Sequence, residues 1–206
     1  MTTFLLIRHA LCDPVGKAIA GRTPGVHLNV PGRSQAEALV ARLGSLPISA
    51  IYSSPLERAL ETAEPLARRL RLAVSPLAGL NEVNFGDWTG STLAALAEVP
   101  EWHDFNTHRS RIRIPHGEII SEVVARASGE LDRLRRQHEF DLVAVVSHGD
   151  VLRGLLSHVL GMPSDLLHRL EVEPASVSVL SYDGGGPRLL LMNSTERWPQ
   201  GVSSAE

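Results

Sequence analysis

The sequence predicts an α/β fold built on a mainly parallel sheet. Two observations carry this. Short apolar runs of strand length alternate with longer segments of helical period. The run Leu142-Val143-Ala144-Val145-Val146 is unbroken, as in a parallel strand covered on both faces.

Taken in order, Phe4 to Ile7 reads as a buried strand. Residues 11–31 carry Pro14, Gly16, Gly21, Pro24, Gly25 and Pro31, a long irregular loop of the kind that usually serves function. Helix is expected over 32–46, with Ala36, Leu39, Val40 and Leu43 on one face. A short strand at 50–53 leads to Ser54-Pro55, read as a capping serine and a first-position proline. The helix they open repeats Leu56, Leu60, Ala63, Ala67 and Leu70 along one stripe, and 72–74 reads as a strand.

From 78 to 116 the pattern loosens around Gly86, Gly90, Pro100 and Pro115, with short helices at 92–97 and 101–107. This stretch is the natural place for a substrate-facing insertion. A strong helix follows over 119–138, then the strand 141–147 and a helix over 151–160 stopped by Gly161 and Pro163. Strands 176–182 and 188–192, joined by Asp183-Gly184-Gly185-Gly186, read as a closing hairpin. No composition shift marks a boundary in 206 residues, so 1–206 reads as a single domain with a polar, frayed tail at 199–206.

Composition excludes several classes. With 43% apolar and 21% charged residues the chain can build a continuous core. A net charge of −3 lacks the basic excess needed for nucleic acid or anionic membrane. Neither a signal-peptide pattern nor an apolar run of membrane-spanning length is present, and Cys12 has no partner for an intramolecular disulfide, which points to a reducing cytoplasm. Cys12 itself reads as a small core residue. Lys17 is the only lysine among 20 basic residues, so the rest are arginines, the side chain suited to bidentate grip on phosphate or carboxylate.

Two buried strands end in histidine, Leu6-Ile7-Arg8-His9-Ala10 and Val146-Ser147-His148-Gly149-Asp150, and ligands bind at that edge of open parallel sheets. A third strand runs into the helix whose first turns hold Arg58, where the dipole favours an anion nearby. Taken singly, Arg58 reads as a surface arginine paired with Glu57 or Glu61, and each histidine as a satisfied loop residue. Their coincidence at one sheet edge points to a bound anion.

These elements, together with Tyr52-Ser53-Ser54-Pro55-Leu56-Glu57-Arg58-Ala59, Glu61-Thr62-Ala63 and Leu80-Asn81-Glu82-Val83-Asn84-Phe85-Gly86-Asp87-Trp88-Thr89-Gly90, stand in the order and spacing of the histidine phosphatase superfamily. The chain resembles the phosphoglycerate mutase-like branch with alpha-ribazole and broad small-molecule phosphatases. Gly32-Arg33-Ser34-Gln35-Ala36 and His116-Gly117-Glu118 with Arg126 are subsidiary matches.

The resemblance implies a three-layer sandwich and a phosphomonoester hydrolase that uses neither metal nor cofactor. His9 would be the nucleophile and form a phosphohistidine. Arg8, Arg58 and His148 would clamp the phosphoryl oxygens, with Gly149 offering backbone donors at a helix start. Glu82, near Val83, Phe85 and Trp88, would be general acid and then base, its pKa raised by desolvation. Gly21 and Arg22 would line the mouth, Arg22 as a second anion contact or as part of an exposed turn. The partner would be a small phosphorylated metabolite; oligomeric state is not encoded in any motif.

The sequence departs from the family pattern at Ala10, where glycine is commonest; if the backbone needed positive φ there, alanine would cost about 1 kcal/mol. The loop Leu11-Cys12-Asp13-Pro14-Val15-Gly16 lacks the tryptophan-asparagine pair of mutases, and 90–115 is short, without lysine or tyrosine. Both favour phosphatase over mutase. The competing readings are a metal phosphohydrolase using His103, Asp104 and His108, and a non-catalytic phosphate-binding module. Arg109, Arg111 and Arg113 read as a solvated basic face or a grip on a substrate's second charge.

Overall fold

The computed structural model describes residues 1–195; the expected tail at 199–206 lies outside them. Among the described residues six strands form one sheet in the order β3-β2-β4-β1-β5-β6. They are β1 (Thr2–Arg8), β2 (Ile48–Ser53), β3 (Val74–Pro76), β4 (Leu142–Ser147), β5 (Val177–Asp183) and β6 (Gly186–Ser194). The first four run parallel; β5 pairs antiparallel with β1, and β6 antiparallel with β5. The expected closing hairpin is therefore present, as β5 and β6.

Period-two alternation splits the centre of the sheet between two cores. Leu5, Ile7, Ala144 and Val146 face α1 (Val30–Leu43) and α2 (Glu57–Leu70), meeting Leu39, Leu43, Ala63 and Leu66. Phe4, Leu6, Val143 and Val145 face the opposite way, towards Leu131, Leu134, Leu152 and Leu155. The helices that cover this second face are α5 (Ile120–Gln137) and α6 (Gly149–Val159). The result is the three-layer sandwich. Between β3 and α5 lie the short α3 (Leu93–Leu96) and α4 (Pro100–Thr107). They bring Leu96 and Phe105 into a third apolar cluster with Val83, Phe85, Trp88 and Ile120.

Local chemistry moves some boundaries. Helix α1 starts at Val30, not 32, because the Asn29 side chain accepts from Gly32 N at 2.9 Å and Pro31 fits the first turn. Strand β3 lies at Val74–Pro76, not 72–74: Arg71 takes a left-handed turn and Leu72 N still donates to Ala67 O at 3.0 Å, closing α2. Proline at the end of β3 is tolerated because this is an edge strand. The N-cap of α2 is Leu56, not Ser54, whose hydroxyl points elsewhere.

The register levels three strand ends: Arg8 lies opposite Ser147, and Ser53 opposite Val146. His9 N donates to Ser147 O at 2.8 Å and Ser54 N to Val146 O at 2.8 Å, carrying that alignment one residue further. His9, Ser54 and His148 thus emerge side by side.

Candidate active site

His9 is 4% exposed, and its Nδ1 lies 2.8 Å from the carbonyl of Ala10. A carbonyl only accepts, so Nδ1 carries the hydrogen and Nε2 keeps the lone pair. Burial, then Arg58 and Arg8, push the His9 pKa down to about 3. The ring is neutral at any ordinary pH. Ala10 N donates to Thr62 Oγ1 at 2.9 Å, and Thr62 in turn donates to Arg58 O at 2.6 Å, so strand end and helix hold each other. Ala10 is outside the left-handed region. Glycine is not required there, and the anticipated strain does not arise.

Arg58 is 1% exposed and gives Nη2 to Gly21 O at 2.8 Å. Its reading as a surface arginine fails, because Glu57 accepts from Gly25 N and Glu61 from Leu28 N and His27. Arg8 gives Nη1 to Val172 O at 2.6 Å; burial and then Arg153 lower its pKa. Arg8 Nε, Arg58 Nη1 and His148 Nδ1 are buried and have no hydrogen-bond partner. Leaving a buried donor unpaired costs about 1–3 kcal/mol, more when charged. An anion placed at this sheet edge would lie within reach of all three.

Arg8, His9, Arg58, Glu82 and Gly149 line one cleft, whose wall is apolar through Val15, Ile19, Phe85 and Leu93. Gly149 opens α6, whose N-terminal end is the favoured one for negative charge. A Cβ on Gly149 would come within 3.2 Å of Arg8 Nε, so glycine lets the guanidinium lie against the helix start. His148 has no exposed surface, and its ring centroid is 5.1 Å from that of His9. Burial, then the closeness of the His9 ring and the charge of Arg58, keep the His148 pKa well below the usual range.

Glu82 lies across the cleft, with Oε2 at 3.8 Å from His148 Nδ1 and Oε1 accepting from Val83 N at 2.8 Å. Burial, then Asp150, push its pKa up to about 7 against the opposing pull of Arg58. Its proton is therefore exchangeable near neutrality.

Several partners were not apparent from sequence. Arg22, considered for the site mouth, donates Nε to the carbonyl of Glu82 at 2.7 Å, and Arg126 Nη2 reaches the same oxygen at 3.1 Å. Glu118 ties both arginines together, at 2.9 and 3.0 Å. The motif residues Glu118 and Arg126 thus hold the backbone of the carboxyl-bearing loop, while Gly21 lines the cleft. Asp150 also lines it, and although burial opposes its ionisation, Arg109 and Arg153 at 2.9 and 3.2 Å hold its pKa below the carboxylate range. The solvated-face reading fails for Arg109, which is 1% exposed and stacks 4.4 Å over Phe105. Arg113 pairs with Glu122 on the surface. Cys12 is buried, as expected of a core residue.

Among the described residues no group of three or more His, Cys, Asp or Glu side chains is gathered for a metal ion. His103 and Asp104 sit on α4 and His108 at its end, away from the cleft lining. Among the described residues no helix is long and apolar enough to cross a membrane.

Residues 4–195 match the family model of the histidine phosphatase superfamily (branch 1). A bifunctional protein of Mycobacterium tuberculosis is 37% identical over 201 residues, covering 94% of this chain and 54% of the relative. The chain thus spans about half the length of that relative. Phosphoserine phosphatase 1 of Hydrogenobacter thermophilus is 30% identical over 204 residues, covering 95% and 93%. A mycobacterial glucosyl-3-phosphoglycerate phosphatase superposes with a TM-score of 0.84 at 28% identity, covering 93% of this chain and 98% of that one.

Proposed function

The chain belongs to branch 1 of the histidine phosphatase superfamily, and from that premise we propose that it hydrolyses small phosphomonoesters through a phosphohistidine on His9, without a metal. The observation that carries this reading is the set of buried nitrogens without hydrogen-bond partners, Arg8 Nε, Arg58 Nη1 and His148 Nδ1, beside a neutral imidazole. Phosphoryl transfer is mostly positioning and neutralising the equatorial oxygens. Two arginines supply the charge that a metal ion supplies elsewhere.

His9 Nε2 attacks phosphorus in line while the ester bond breaks, and Glu82 in its protonated form gives its proton to the departing oxygen. A carboxyl with pKa near 7 is protonated often enough to donate and acidic enough to release. In the second step water attacks the phosphohistidine, Glu82 takes the water proton, and His9 and inorganic phosphate are released. Gly149, which opens α6, would offer its N–H to the same oxygens. Arg22 and Arg126 hold the Glu82 carbonyl so that the carboxyl keeps its place.

The short, lysine-free stretch between Gly90 and Pro115 favours hydrolysis over a mutase reaction, which must shelter its phosphoenzyme from water. Phosphatases among the relatives support the same choice. The test is a panel of labelled phosphomonoesters with EDTA present. Wild type should release phosphate and carry acid-labile, alkali-stable label, and His9→Ala should show neither. Label persisting in the variant, or turnover abolished by EDTA and restored only by a divalent ion, would overturn the reading.

A further inference from the structure

Ser54 occupies the place of a helix cap without capping, and its hydroxyl lies 2.7 Å from Nε2 of His148. We infer that Ser54 is a positioning residue whose hydroxyl donates to His148 Nε2 and so fixes the tautomer that presents Nδ1–H to the transferring phosphoryl group. This deepens the phosphatase reading and rests on it.

Two arrangements fit a 2.7 Å contact between a hydroxyl and an imidazole nitrogen, and hydrogen-bond accounting separates them. If His148 donated, the serine hydrogen would need another acceptor. The hydroxyl already faces Leu56 N at 3.4 Å, which is a donor, and among the described residues no acceptor other than His148 is in reach of it. Ser54 has no exposed surface, so its hydrogen would be buried unpaired. The cost falls at the other end of the ring as well: Nδ1 would turn a lone pair towards the anion.

If Ser54 donates, both faults disappear. The hydroxyl gives its hydrogen to Nε2 and accepts from Leu56, and His148 carries its own hydrogen on Nδ1, the atom without an acceptor in the protein. A neutral imidazole donates from one nitrogen only, so the nitrogen that Ser54 faces decides which one meets the substrate. The serine is well placed to insist. Its N–H binds Val146 O at 2.8 Å and its carbonyl accepts from Ser53 Oγ at 2.9 Å, anchoring it to β2 and β4 at the level of His148. His9 obeys the same logic in mirror form, its hydrogen tied at Nδ1 by Ala10 O so that Nε2 is free to attack. One imidazole is thereby locked as nucleophile and its neighbour as donor.

The experiment combines nitrogen-15 NMR of histidine-labelled protein with single-turnover kinetics. Two-bond nitrogen–proton correlations distinguish the tautomers, and the His148 ring is assigned by its loss in His148→Gln. Wild type should show His148 protonated on Nδ1, and Ser54→Ala should shift it towards Nε2. The burst of phosphoenzyme formation should slow in Ser54→Ala by about 10²-fold, the scale of one lost oxyanion donor. Wild-type His148 protonated on Nε2 overturns the inference, and so does a wild-type burst rate in Ser54→Ala. Absence of any phosphoenzyme in wild type would be a failure of the phosphatase reading, and the NMR of the wild-type protein then decides the tautomer by itself.

Discussion

Replacing Glu82 by glutamine should stabilise the folded chain above neutral pH while disabling it. Burial pushes the carboxyl up to about 7, whereas in an unfolded chain it titrates near 4.3. The folded state therefore binds this proton more tightly. The stability gained is complete below the unfolded pKa and is lost as pH rises through about 7. Between about pH 5 and pH 8.5 the loss amounts to about 2.5 kcal/mol. The side chain keeps 13% of its surface, so solvent trims this figure without removing it. Glutamine does not titrate, and its carbonyl can still accept from Val83 N, the bond that Oε1 makes at 2.8 Å. Urea unfolding of both proteins across that pH range gives a difference curve from which other groups cancel. The variant should gain on wild type mostly between about pH 5 and pH 7 and hold that gain above it. A difference curve flat within about 0.5 kcal/mol would show that Glu82 does not hold a raised pKa, and the acid–base role would fall with it.

The same substitution should slow phosphoenzyme formation from an alkyl phosphate by about 10²–10⁴, and much less from p-nitrophenyl phosphate, whose leaving group needs no proton. Single-turnover bursts are required, because the water step also uses Glu82; equal losses for the two substrates would make it a binding group. Ala10→Gly should bring no gain in kcat and lower stability by about 0.5–1 kcal/mol, since the backbone there is outside the left-handed region and the methyl group is buried. A faster or more stable glycine variant would mean that alanine strains the turn.

The parts of the molecule legible in sequence are those whose cause is local or strongly patterned. Strands β1 and β4 are apolar on both faces, so no period was needed to see them, and the residue types that follow each marked the functional edge. Ser54 shows the opposite case. Ser-Pro ahead of an amphipathic helix is the local pattern of a cap, and only the partner 94 residues away turns the hydroxyl to another use. Arg109 likewise sits in a run of arginines typical of a wet surface; its carboxylate partner Asp150 is 41 residues away and meets it only in the folded chain. Glu118 and Arg126 belong to a motif and Arg22 reads as a residue of the site mouth, but the common target of the two arginines is a main-chain carbonyl, which leaves no mark on residue identity. The shift of β3 came from a left-handed turn at Arg71, a conformation that arginine seldom advertises.

The pairing of β1 with β4 sets the order in which this molecule can become competent. Leu5 lies beside Ala144 and Ile7 beside Val146, so the centre of the sheet joins segments that leave the ribosome far apart in time. Until β4 has been made, the apolar strand Phe4 to Ile7 has no parallel neighbour, and His9 has no Ser147 carbonyl to hold its backbone. Nascent or truncated chains that stop short of β4 therefore expose a sticky edge and lack His148 from the proposed phosphate site. Pairings this distant in sequence are slow to form. Recovered turnover after dilution from denaturant should accordingly report the last step of assembly, and chaperone dependence should be greatest just before residue 147 is added.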